Sequence, residues 1–136
     1  MSKSRQKSLK LTWLIAGDLL TFFLVTIFGF ASHGSLETGG TRMLTTLIPL
    51  LAAWLMVAPF IGVYQLKWAT SLNNLWRPFW AMILAAPMAA WIRGVWLGTP
   101  IVPIFVLVLG GISALGILAW RLIFCLAAGR SRTAHG

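Results

Sequence analysis

Four long apolar runs dominate this chain, and its polar residues fall almost entirely between them or at the two ends. The runs cover roughly residues 11–32, 43–64, 76–98 and 101–126, each close to the roughly 20 residues a helix needs to cross a bilayer. The first follows a basic leader, Lys3, Arg5, Lys7 and Lys10, as a signal peptide would. It is longer than an ordinary signal core and no convincing cleavage site follows, so it is expected to stay as a first helix. A glycine-rich polar turn, His33 to Gly40, leads to the second run, which Pro49 and Pro59 interrupt. Prolines are tolerated in membrane helices when neighbours re-satisfy the freed carbonyls, and each is expected to bend the helix. A linker, Gln65 to Leu75, precedes the third run, and Trp68 and Trp76 are candidate interfacial anchors. The turn Gly98-Thr99-Pro100 is so short that runs three and four must form a tight antiparallel hairpin, with Pro103 in the first turn of the fourth helix. The pattern predicts an all-α membrane protein: one antiparallel four-helix transmembrane bundle over residues 11–126, with basic tails at 1–10 and 127–136.

Composition strengthens this reading. The chain has 136 residues, of which 59% are hydrophobic and only 10% charged, against about 25% charged in a soluble domain. A domain of this size has no core able to hide that apolar surplus, so the excess must face lipid. Eight tryptophans against one tyrosine fit membrane interfaces. The net charge of +9 does not point to nucleic acid, because the cations sit at the ends and in short connections. With both termini on one side, that side carries Lys3, Arg5, Lys7, Lys10, Lys67, Arg77, Arg121, Arg130 and Arg132; the other carries Arg42 and Arg93. The bias predicts cytoplasmic termini in a multi-pass protein of a prokaryotic plasma membrane.

Asp18 is the sharpest residue. An ionisable group inside a membrane helix costs about 2.5–3.5 kcal/mol on insertion scales and demands a partner. Asp18 lies about 10 Å from the basic end of its run, a depth that matches Arg121. Two structural accounts are open: a buried Asp18–Arg121 pair, or a neutral carboxyl hydrogen-bonded to Thr12, Thr21 or a neighbouring helix. The functional account makes Asp18 a site for a proton or ligand. At the opposite side, His33, Glu37 and Arg93 should gather. Arg93 is expected to snorkel to the interface or to pair with Glu37, and an anionic headgroup or small ligand is a further candidate for it. A lone histidine at a helix end is too weak a signal to assign a pigment metal.

Ala81, Ala85 and Ala89 form one stripe of small residues, and Ala86, Ala90 and Gly94 another. Such stripes let helix backbones approach in lipid. Gly110, Gly111, Ala114 and Gly116 of the fourth run offer the matching face, with a homodimer as the competing use. No internal repeat marks an inverted-repeat transporter. The single cysteine, Cys125, excludes an intrachain disulfide, and no Cys/His spacing fits zinc. The only acids, Asp18 and Glu37, belong to opposite ends, and no nucleophile has a base beside it. No catalytic residue, cofactor or metal site is expected.

The ordered set of polar and small residues carries a resemblance. Asp18, Ser32-His33-Gly34, Pro49, Trp91-Ile92-Arg93, Gly98, Phe105, Gly116 and Trp120-Arg121 stand as in the bacterial and archaeal integral membrane family catalogued as domain of unknown function 3054. The chain resembles that family over about residues 11–122. The resemblance implies a small four-span protein in which Asp18, His33, Arg93 and Trp120-Arg121 belong to a recurring pattern, and it carries over no catalytic role. The leading functional expectation is a non-enzymatic structural or accessory subunit of a membrane assembly, with lipid, a second copy or other membrane subunits as partners. The alternative is a small oligomeric permease using Asp18 as its protonatable site.

Overall fold

A computed structural model describes residues 2–34 and 37–133, without the side chains of 131–133. The described residues form helices and no strand. Helix α1 runs Lys3–Ser32, α2 Gly40–Ile61, the single turn α3 Leu66–Ala69, α4 Trp76–Leu97 and α5 Pro103–Thr133. A 3-10 turn, Leu72–Asn74, lies between α3 and α4. Helices α1, α2, α4 and α5 are each long and apolar enough to cross a membrane.

The boundaries follow from local chemistry. Helix α1 begins inside the expected basic tail, because Ser2 Oγ accepts from the Arg5 N–H and no breaker follows among the Lys, Arg and Gln residues. Likewise α5 runs past 126 through Ala127-Ala128 instead of fraying there. Helix α2 stops at Ile61, three residues short of the expected Tyr64, because Gly62 turns left-handed at φ 76°. That conformation favours glycine, and a Cβ there would sit 2.3 Å from the Trp68 ring. Gly98, at φ 62°, ends α4 in the same way and opens the short turn into α5. Pro49 and Pro59 lie inside α2 and Pro87 inside α4. The linker is not plain loop: its two short turns fold Trp68 back over Gly62.

Each long helix packs on its neighbours in the order α1, α2, α4, α5, and α5 closes back on α1. The α2–α4 seam is the most extensive. Against its two neighbours α4 buries mainly alanine: Ala81, Ala85, Ala86, Ala89 and Ala90, with Pro78 and Met82. Small side chains bring the backbones close, which in lipid replaces the missing hydrophobic drive with dispersion contacts. Larger residues, Phe22, Leu50, Trp54, Met82 and Ile117, fill the core between the helices. Outward, Phe60 is 92% exposed and Leu107 71%, a lipid-facing surface rather than an aqueous one.

Two expectations about the small-residue stripes need correcting. Gly111 is exposed and faces open space, so it takes no part in the packing. Gly94 is half-buried and approaches the Thr99 carbonyl of its own hairpin turn, 3.0 Å from where a Cβ would stand. Gly110, also expected in the packing, does make the close contact between α4 and α5: a Cβ there would lie 2.8 Å from the Ala86 Cβ.

Candidate functional site: a buried ion pair at the linker end of the bundle

Two inward stripes create the site. On α1 the buried residues Leu14, Asp18, Phe22 and Thr26 recur every four positions, one face of a helix. On α5 the buried residues Ser113, Ala114, Ile117, Arg121 and Cys125 form the facing stripe. The close approach of α1 and α5 is set by Gly17, whose missing side chain leaves room for the Trp120 ring; a Cβ would lie 2.0 Å from it.

The stripes meet at Asp18 and Arg121, which are 0% and 2% exposed. Arg121 Nε donates to Asp18 Oδ1 at 3.0 Å, and Nη2 donates to Oδ2 at 2.6 Å. This is a two-pronged guanidinium–carboxylate pair, short and directional as charge-assisted bonds are. The remaining prong, Nη1, donates to the Val63 carbonyl at 2.9 Å. Val63 lies just beyond the end of α2, so one arginine ties α1, α5 and α2 together. Beside it, Trp54 Nε1 donates to the Tyr64 hydroxyl at 2.6 Å. The Tyr64 ring lies 5.5 Å from the Arg121 guanidinium, and Phe22 meets Trp54 edge-on at 5.1 Å.

A second arginine closes the same helix end. Arg77 Nη1 donates to the Ile61 carbonyl at 2.7 Å and Nε to Asn74 Oδ1 at 3.2 Å. Its guanidinium stacks 3.6 Å from the Trp68 ring and 4.7 Å from Trp76. The carbonyls at a helix C-terminus carry partial negative charge and lack helical partners. Two cations therefore satisfy the Ile61 and Val63 carbonyls at this helix end. Cys125, one turn beyond Arg121, donates its thiol to the Ala69 carbonyl at 3.1 Å and fastens α3 to α5.

The chemistry open to this arrangement is narrow. Asp18 is occupied at both oxygens, and the space beside Arg121, between Gly62, Trp68 and Arg77, is about 10 Å³, room for one water. Thr12 and Thr21 do not reach the carboxylate; they donate to the Ser8 and Gly17 carbonyls of their own helix. Among the described residues, no group of three His, Cys, Asp or Glu side chains is arranged to hold a metal.

At the opposite end of the bundle the expected residues do not combine. No Arg93–Glu37 pair forms: the one salt bridge among the described residues is Asp18–Arg121. Arg93 instead lies 5.1 Å over the Phe105 ring, with its Nε buried and without a hydrogen-bond partner. His33 caps the end of α1 with an exposed side chain. Sequence reasoning missed Trp54, Tyr64, Val63 and the Arg77–Trp68 stack. Tyr64 carried a usable signal, as the only tyrosine in the chain, placed at the basic end of the second run.

This architecture defines a class: a polytopic α-helical membrane protein in which one interior ion pair knots three helices. The family model described as protein of unknown function DUF3054 matches residues 15–124. The chain belongs to that family. Comparison with curated proteins and with solved structures gives no match.

Proposed function

We propose that the protein is a non-enzymatic integral membrane protein serving as a structural or accessory subunit of a membrane assembly, with both termini cytoplasmic in a prokaryotic plasma membrane. The observation that carries this reading is the closure of the ion pair. Asp18, the acid within the membrane span, has both oxygens engaged by Arg121, and neither Asp18 nor Arg121 lines a cavity larger than the water-sized space beside Arg121. A coupling carboxylate in a permease has to exchange protons with both sides of the membrane, and these contacts offer Asp18 no such exchange. Orientation rests on the cation bias. With Arg121 neutralised by Asp18, eight cations still stand against two.

Purification in a mild detergent followed by native mass spectrometry tests the subunit reading. It expects a particle holding other polypeptides in fixed stoichiometry, and proteoliposomes of the isolated chain that conduct no Asp18-dependent proton flux. A homo-oligomer whose proton flux disappears in Asp18→Asn, with folding intact, would establish the permease instead.

A further inference from the structure

We infer that Arg93 and the cavity behind Phe105 form a binding site for one anionic membrane lipid. Arg93 stands in α4 four residues before its end and forms no ion pair with Glu37. Its Nε is buried and unpartnered, and its guanidinium rests over Phe105. The side chain is half-buried, so the unmet hydrogen bond is confined to Nε; a buried donor without an acceptor is costly, and a guanidinium matches the paired oxygens of a phosphate. A hollow of about 270 Å³ beside Arg93, walled by Gly94, Pro100, Ile101 and Phe105, gives a headgroup room.

Phe105 is also a wall of a second cavity. This one, of about 280 Å³, lies between α1 and α5 with α2 at one side and is lined mainly by apolar residues such as Val25, Phe30, Val108 and Ile112, with Thr26, His33 and Thr46 as its polar members. An apolar space of that size offers water too few partners and takes an apolar occupant. A cation with no acid partner next to an apolar slot that opens along a lipid-facing seam fits an amphiphile: phosphate on Arg93, acyl chain past Phe105 between α1 and α5. Charge complementarity selects an anionic lipid over a zwitterionic one.

The test is lipid binding by native mass spectrometry on delipidated full-length protein, titrated with phosphatidylglycerol or phosphatidylcholine of the same acyl chains. One phosphatidylglycerol should bind roughly tenfold or more tighter than phosphatidylcholine, and Arg93→Gln should erase the difference. Gly29→Phe places a ring in the slot, where a Cβ at Gly29 meets no atom within 4 Å, and should weaken both lipids while leaving the melting temperature unchanged. Glycerol phosphate, which has no chain, should not displace the lipid. Equal binding of the two lipids by the wild type would overturn the site, as would a preference that survives Arg93→Gln. Displacement by glycerol phosphate alone would show a free-phosphate site in its place. Should Arg93→Gln fail to fold, the wild-type preference and the Gly29→Phe arm still decide the matter.

Discussion

Arg121 and Arg93 are the same side chain at opposite ends of one bundle, and they live in contrasting surroundings. Arg121 has a carboxylate, a helix-end carbonyl and an aromatic ring within reach of its fork. Arg93 has an aromatic ring and an unpartnered Nε beside open space. Hydrophobic packing alone does not distinguish the two ends, since both are rich in apolar side chains. What distinguishes them is whether the chain supplies its own acceptors. At the linker end it does, through Asp18 and the early stop of α2 at Gly62, which presents the Ile61 and Val63 carbonyls to two arginines. At the far end the described residues give Arg93 Nε no acceptor, which is the observation behind the proposed lipid site there.

The largest effect should come from breaking the paired end. Asp18→Leu leaves Arg121 buried and uncompensated, which costs about 3–5 kcal/mol, and detergent unfolding should show that loss. Replacing both members, Asp18→Leu with Arg121→Met, should recover most of it, since an apolar pair of similar volume is often neutral. Next comes the seam that holds the pair together. Gly17→Ala drives a Cβ into the Trp120 ring and should cost about 1–3 kcal/mol by overpacking. Gly111→Ala, next in sequence to the tight Gly110 contact but facing open space, should stay within about 0.5 kcal/mol or stabilise slightly. A similar cost at both glycines would mean that the seam does not select between them. Trp68→Ala removes the stack on Arg77 and should cost about 1 kcal/mol, read as a lower melting temperature. At the far end, Glu37→Gln should change stability by less than about 0.5 kcal/mol, because Glu37 makes no ion pair.

The proposed orientation sharpens the same contrast, since it would put the paired end at the cytoplasm. In a Cys125→Ala background, Thr38→Cys should react with an impermeant maleimide from outside and Thr133→Cys should not. The reverse pattern would put the lipid site on the cytoplasmic side and sink the positive-inside argument.

Much of the fold was legible because length and hydropathy alone demand four spans. Asp18 and Arg121 could be matched by depth, as both sit a few turns from the basic ends of their runs. Depth says nothing of rotation, however, and runs this uniformly apolar carry no stripe that fixes a face. That is why the sequence does not separate Gly110, which packs on Ala86, from Gly111, which faces open space, and why it offers Glu37 to Arg93. The ending of α2 was also hidden. Nothing in Ile61-Gly62-Val63-Tyr64 by itself says that the helix stops there; the stop depends on Trp68 folding back over Gly62 and on two arginines arriving from α4 and α5. Such an end is a tertiary feature, settled by partners sixteen and fifty-eight residues away.

The central claim is that Asp18 and Arg121 act on each other as a closed structural pair. A double-mutant cycle over Asp18→Asn and Arg121→Gln, followed by reversible unfolding in mixed micelles, measures that directly. The pair predicts a coupling of more than about 1.5 kcal/mol, with the double variant more stable than the single losses would sum to. Losses that add within about 0.5 kcal/mol would mean the two residues act independently, and would return Asp18 to the role of a free carboxylate inside the membrane.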